Sequence, residues 1–435
     1  MTKVASLKQG AASVLFWSII AAAFIGPGTV ATAAKAGASY ELALLWTLVY
    51  ATFSTIILQE AAARLTLASG KSLGEVINWR SKGRGSKVLR WGLFVSIAMG
   101  CAAYQAGNML GAVAGWQLAM PLNPHWVTLG LAVVSGTLLW RGDHRSIAQQ
   151  LGILVATMGV AFILLAIQGT SDWGQVLLSS VRVSIPDGAG LLVVGLIGTT
   201  IVPYNLFLAS GISKGQSVKQ MRWGLGLAVL IGGIISIAIL LVGRQVEGSF
   251  SFATLADLID KRIGSAGSYL LGFGLFAAGL SSAITAPFAA AITAQSLLGF
   301  DSAYDWGYRS KRFRMVWGAV LLIGLGFGLS GVKPVPAIIL AQAVNGFILP
   351  GITIFLWLAI NDPTVIQAPH RNSMLANSLL WMVVVTSCFL GIYNLIKLLC
   401  TLSGVELSIW LVPIVWSSIG ISLLIGGGLL WRIRK

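Results

Sequence analysis

Apolar residues in this chain arrive in long blocks separated by short polar breaks, and those blocks set the first expectation. A helix that crosses a bilayer needs roughly 20 apolar residues. Reading the runs between polar breaks predicts twelve such helices, at about 13–36, 42–65, 88–118, 126–140, 151–169, 189–210, 223–243, 268–298, 315–332, 335–360, 374–399 and 409–431. The fourth is short. Composition agrees: 56% of the 435 residues are hydrophobic and 10% are charged, against about 25% charged in soluble domains. A water-exposed surface cannot be built from such a sequence. The expected class is an all-α integral membrane protein with the lipid bilayer as its surroundings.

Charge adds orientation. A formal net charge of +16 would suggest nucleic acid in a soluble protein; in a membrane chain it reflects the collection of Lys and Arg in cytoplasmic loops. With the N-terminus inside, 22 of the 29 basic residues fall in cytoplasmic segments and 7 outside. That asymmetry predicts an even number of spans with both termini cytoplasmic, and no nucleic-acid partner. The compact chain with short loops points to a bacterial inner (plasma) membrane. Lys3 and Lys8, an apolar run and Ala31-Thr32-Ala33 loosely imitate a secretory signal, but the run is too long and Gly26-Pro27-Gly28 breaks it. The three cysteines, Cys101, Cys388 and Cys400, form no C-x-x-C pair and read as buried small hydrophobes. His125, His144 and His370 all lie between spans, so no imidazole is expected inside the membrane.

Two spans are interrupted. The first carries Gly26-Pro27-Gly28-Thr29 and the sixth carries Gly198-Thr199-Thr200-Ile201-Val202-Pro203-Tyr204-Asn205. Proline removes a backbone donor and clashes with the preceding turn, so both helices should unwind there. Freed backbone groups inside a bilayer are tolerated only against protein or a water-filled cavity. Interrupted helices at matching positions of two halves mark a transporter's binding site. The expected organisation is one transmembrane domain of five-plus-five inverted repeats, about 13–169 and 189–360, with two extra helices at about 374–431. Alternating access follows, with the first and sixth spans moving against the rest. No nucleotide-binding loop is present, and Gly324-Leu325-Gly326-Phe327-Gly328 reads as helix packing, so transport is expected to be secondary. No H-E-x-x-H, no G-x-S-x-G and no intramembrane pair of titratable groups points to an enzyme, and no cofactor is implied.

The first break followed by Lys35-Ala36-Gly37-Ala38 and Ala43-Leu44-Leu45-Trp46 resembles the opening helix pair of the NRAMP family of divalent metal transporters. Gln59 with Ala62-Ala63-Arg64-Leu65, Gly70 through Glu75, Ala277-Ala278-Gly279 with Ser281-Ser282, and Gln342 ahead of Leu349-Pro350 extend the likeness along nearly the whole chain. The resemblance implies an inverted-repeat, LeuT-like fold. It also implies a metal site, and here the chain departs. Gly26-Pro27-Gly28-Thr29 stands where the family carries Asp-Pro-Gly-Asn, whose Asp and Asn bind metal. Val202-Pro203-Tyr204 replaces Met-Pro-His. Phe94, Cys101 and Tyr104 align with acidic residues of the family's third helix.

What remains is polar and neutral, so no metal ligand set is assigned. Gly26, Gly28 and Gly198 permit close backbone approach, and Val202 marks the lost sulfur. Thr29, Thr199, Thr200, Tyr204, Asn205, Gln105, Gln342 and Asn345 supply donors and acceptors. A bare divalent cation is disfavoured where no negative charge faces it, whereas half-helix N-termini favour anions. The expected substrate is therefore a small inorganic ion, bicarbonate first. The alternative is a divalent metal (Mn, Fe or Mg) on relocated ligands, followed by a small neutral solute. A proton or Na⁺ is the expected coupling ion, with no residue assigned to it. Glu60 and Arg64 read as a structural i,i+4 pair, and Gln105 and Asn108 serve equally as cavity lining or as interhelical hydrogen bonds.

Overall fold

A computed structural model describes residues 25–81, 86–142, 144–213, 215–299, 305–403 and scattered positions between 412 and 424. Those residues form fifteen α-helices and no strand. They are α1 (Pro27–Tyr40), α2 (Leu45–Ser69), α3 (Leu73–Arg80), α4 (Ser86–Ala119), α5 (Pro124–Arg141), α6 (His144–Gly169), α7 (Trp173–Val181) and α8 (Gly190–Thr200). The remainder are α9 (Pro203–Ile212), α10 (Val218–Gly243), α11 (Phe252–Ile263), α12 (Ala266–Leu298), α13 (Lys311–Leu329), α14 (Pro334–Ile360) and α15 (Met374–Ser403). The described residues are all-helical in their regular structure, and the helical stretch from Gly190 to Ile212 is interrupted between Thr200 and Pro203. The first half of span one and most of span twelve lie outside the described residues.

Among the described residues eight helical stretches are long and apolar enough to cross a membrane, with α8–α9 counted as one. Three predicted spans fall below that standard. α1 is 14 residues long, α2 carries Gln59, Glu60 and Arg64, and α5 is an 18-residue helix with His125 and Arg141 near its ends. Three short helices, α3, α7 and α11, lie between predicted spans. Two of them begin at capping boxes, Ser72 with Glu75 and Ser251 with Thr254, which satisfy the first backbone donors. α11 buries Phe252, Leu255, Ala256 and Ile259 along one face, the spacing of an amphipathic helix laid over the bundle.

Burial orders the bundle. The α8–α9 stretch is 94% buried, whereas the apolar windows of α6, α13 and α15 are 33% buried. α1 is equally enclosed, with Pro27 through Ala34 all buried. Ala31-Thr32-Ala33 is thus the middle of an interior helix, not an accessible cleavage site. Cys101, Cys388 and Cys400 are all buried. Trp91 and Trp126 are exposed, as expected of residues that face lipid and its interface.

Interior helices approach closely because small residues sit at their crossings. A Cβ on Gly37 of α1 would collide with the Leu240 carbonyl oxygen of α10, and one on Gly243 would collide with that of Ala34. Gly272 of α12 approaches the Gly115 carbonyl of α4 in the same manner, its Cβ position 2.7 Å from that oxygen. Gly324 and Gly328 of α13 meet Gln105 and Thr128, so that glycine run is a packing surface.

One end of the bundle is tied by charge. Arg64 is 5% exposed, donates to Glu60 at 2.9 Å and also reaches the His370 carbonyl and Asn372. Arg222 at the start of α10 donates to the same Glu60 carboxylate at 2.8 Å. The i,i+4 pair therefore joins α2 to α10 and to the segment before α15.

Gly37→Leu is expected to destabilise the protein by more than about 3 kcal/mol, since overpacking against backbone cannot be relieved by a rotamer change. Gly226→Leu, with open space around its Cβ, serves as the neutral control. Thermal melting of the detergent-purified variants by size-exclusion chromatography checks both.

Candidate functional site

Both breaks use one local device. Val202 is extended (φ −91°, ψ 114°) and precedes Pro203, the first residue of α9. Gly26 is extended (φ −101°, ψ −178°) and precedes Pro27, the first residue of α1. A residue before proline avoids the helical region, while proline itself suits the first helical position because its missing N–H would have no partner there. Neither Gly26 nor Val202 offers a side-chain cap. α8 stops at Thr200, with the Ile201 N–H donating to the Ile197 carbonyl at 2.7 Å.

The carbonyls freed at the end of α8 are met by side chains from other helices. The Tyr104 hydroxyl of α4 donates to the Gly198 carbonyl at 2.8 Å, and the Thr55 hydroxyl of α2 donates to that of Thr200 at 3.1 Å. Thr29 Oγ1 and Thr199 Oγ1 share a hydrogen bond of 3.0 Å across the two breaks. α14 closes the third side. A Cβ on Gly198 would collide with the Gln342 carbonyl oxygen, and one on Gly28 would collide with Gln342 Nε2 and lie 3.3 Å from Thr199 Oγ1. Four helices, α1, α4, α8 and α14, thus meet at the end of α8 through hydroxyls, backbone carbonyls and the Gln342 carboxamide.

Of the residues singled out from sequence, Gly28, Thr29, Gly198, Thr199 and Gln342 meet there directly. Thr200 turns its hydroxyl back to Leu196 at 3.0 Å and contributes only its carbonyl. Val202 contributes its carbonyl to the Asn205 N–H. Tyr204 packs edge-on against Tyr104, with ring centroids 5.5 Å apart. Asn345 lies over Gly100 of α4, its Oδ1 2.8 Å from the position of a Cβ there. Gln105, one residue beyond Tyr104, faces Gly324 of α13 and so points away from the break. Gly26 opens toward Ser282 Oγ of α12 and Asn108 Oδ1 of α4, 3.3 and 3.8 Å from its Cβ position.

Several of these groups are buried without a protein hydrogen-bond partner: the Tyr204 hydroxyl, both ends of Asn205 and Asn345, Gln342 Oε1, Asn108 Nδ2 and Ser282 Oγ. Buried polar groups are nearly always paired, so this concentration around two helix breaks marks a place built for something other than protein. Gln59 belongs with them. It is 1% exposed and unpartnered at both ends, and stands one turn beyond Thr55, which reaches Thr200, on a helix whose Thr66 reaches Ser210 at 3.1 Å.

Sequence reasoning did not select Tyr104, Ser282 or Gln59 as site residues. Spacing on α4 held one available signal, since Cys101, Tyr104 and Asn108 recur at three and four residues on one helical face. Among the described residues no cluster of three His, Cys, Asp or Glu side chains is placed to hold a metal. The site is formally neutral, and its donors and acceptors are hydroxyls, carboxamides and backbone carbonyls.

Comparison with known proteins places this geometry. The chain is 26% identical over 400 residues to the divalent metal cation transporter MntH of Deinococcus radiodurans, covering 88% of each chain. It is 27% identical over 355 residues to the MntH of Verminephrobacter eiseniae, covering 76% of this chain and 77% of that one. Its fold matches the crystal structure of the Eremococcus coleocola manganese transporter bound to an aromatic bis-isothiourea compound, at TM-score 0.72 and 19% identity over all of this chain and 96% of that one. A histidine-to-alanine mutant of the same transporter gives a TM-score of 0.73 at the same identity and coverage. The family model for natural resistance-associated macrophage protein-like transporters matches residues 18–397, and the chain belongs to that family.

Proposed function

We propose that the protein is a secondary active transporter that carries a hard divalent cation, Mg²⁺ or Mn²⁺, by alternating access through the paired helix breaks. One observation carries this reading: neutral polar groups of Thr29, Tyr104, Gly198, Thr199 and Gln342, from four helices, meet where α8 ends, joined by the Thr29–Thr199 and Tyr104–Gly198 hydrogen bonds and by the close approach of Gln342 to Gly28 and Gly198. Neutral oxygen donors suit Mg²⁺, Ca²⁺ and Mn²⁺, while soft and imidazole ligands select the later transition metals. The relatives named as divalent metal cation transporters support the same class of substrate. With no carboxylate facing it, a fully dehydrated divalent ion is strongly disfavoured. The ion therefore travels with much of its water shell, as Mg²⁺ commonly does in protein sites, and the unpartnered carboxamides bind those waters.

A second reading, bicarbonate, has an observation of its own. The start of α1 has no side-chain cap, and Ser282 Oγ, buried and unpartnered, stands beside Gly26 together with the Asn108 carboxamide. A helix N-terminus with an added hydroxyl donor favours an oxyanion. Purified protein in proteoliposomes separates the two. Saturable Mn²⁺ entry, competed by Mg²⁺ and insensitive to bicarbonate, is the expected result. Labelled bicarbonate uptake without Mn²⁺ entry, abolished by Asn108→Leu, overturns the cation reading in favour of the oxyanion.

The repeats run from about 13 to 169 and from 189 to 360, with both termini in the cytoplasm of a bacterial cell and a proton or Na⁺ as the coupling ion. A C-terminal green fluorescent protein fusion is expected to fluoresce and a C-terminal alkaline phosphatase fusion to be inactive. The reverse pattern contradicts the orientation.

A further inference from the structure

Tyr104 occupies an unusual position. Its hydroxyl lies in the interior of a helical bundle and donates to the Gly198 carbonyl, two residues before α8 ends. The carbonyls at a helix C-terminus carry the negative end of its dipole and are natural cation ligands where a transporter helix is broken. The Gly198 carbonyl precedes Thr199, whose hydroxyl meets that of Thr29 on α1, and a hydroxyl from α4 holds that carbonyl. Thr55 behaves differently. Its hydroxyl is shared between Ala51 of its own helix at 2.7 Å and Thr200 at 3.1 Å, the pattern of a side chain fixed in place by its own turn.

Tyr104 is not fixed in that way. Its ring leans edge-on against Tyr204, which stands in the first turn of α9 and whose own hydroxyl has no partner. The two tyrosines thus bridge the gap between the halves of the broken helix. One oxygen is engaged with the last turn of α8 and the other is uncommitted.

We propose that Tyr104 is a positioning residue whose hydroxyl competes with the transported cation for the Gly198 carbonyl, so that it sets the affinity of the site. The inference rests on the cation reading above. When the cation engages the carbonyl, the hydroxyl turns toward the break; when the cation leaves, the hydroxyl returns and satisfies the buried acceptor. Such an exchange weakens binding but avoids an unpaired carbonyl during release, which would otherwise cost the desolvation of a buried polar group.

The test is Mn²⁺ entry into proteoliposomes carrying wild-type protein or Tyr104→Phe, over a range of MnCl₂ concentrations. Loss of the competitor is expected to lower KM about threefold to tenfold, the worth of one neutral hydrogen bond, and to lower the maximal rate because release leaves Gly198 unpaired. A lower rate with unchanged KM overturns the exchange, since a merely structural hydroxyl predicts that pattern. Thermal melting of the two purified proteins with and without MnCl₂ keeps the question open to decision should the variant transport poorly. A larger Mn²⁺-dependent rise in Tm for Tyr104→Phe supports the proposal, and equal rises overturn it. Absence of Mn²⁺ entry and of any Mn²⁺-dependent rise in the wild type overturns the cation reading itself and the exchange with it.

Discussion

Breaking a helix inside a bilayer releases backbone groups that lipid cannot satisfy, and the interior of this protein is organised around that constraint. Proline at the start of α1 and of α9 removes one donor at each break. The carbonyls left at the end of α8 are met by Tyr104 and Thr55, and the two breaks are pinned to each other through Thr29 and Thr199. Glycines then let α8 and α1 press against α14, where a single Cβ on Gly198 or Gly28 would collide with Gln342. The crossing is tight because the broken segments need neighbours within hydrogen-bonding distance. The proposed ion site draws on the same requirement, since polar groups that satisfy backbone can also face a ligand.

Formal charge is what this site lacks. A carboxylate about 4 Å from a divalent ion supplies attraction of roughly 8 kcal/mol at an effective dielectric near 20. Gly26 forgoes that attraction. By the resemblance it stands where the family motif carries a metal-binding acid; in the proposed function neutral polar groups and retained water answer that loss or, in the second reading, a different substrate does. Hydroxyls and carboxamides can serve both outcomes because they donate as well as accept. The neutral polar groups near Gly198 suit the first outcome, and the uncapped start of α1 beside Asn108 and Ser282 leans toward the second.

Much of this was legible in the sequence. Long apolar runs located the spans that the described residues contain, the Val-Pro pair located the break between α8 and α9, and the Gly-Pro pair located the start of α1. Helices α3, α7 and α11 were not, because each is 8 to 12 residues long and an amphipathic stretch of that length is hidden between apolar blocks. Within the site, residues on the broken helices were identifiable because the break itself exposes them. Those on α2, α4 and α12 were not, since their part depends on which face of an unbroken helix meets the break. Gln105 and Tyr104 make the point: neighbours in sequence, they point to α13 and to α8 respectively.

The central claim is that the ion binds among neutral oxygens where α1, α4, α8 and α14 converge. Anomalous diffraction from crystals grown with MnCl₂ tests it most directly. The account predicts a manganese peak beside Gly198, Thr199 and Gln342, bound in part through water. A peak only at the bundle's end near Glu60, or no interior peak at saturating Mn²⁺, would contradict it.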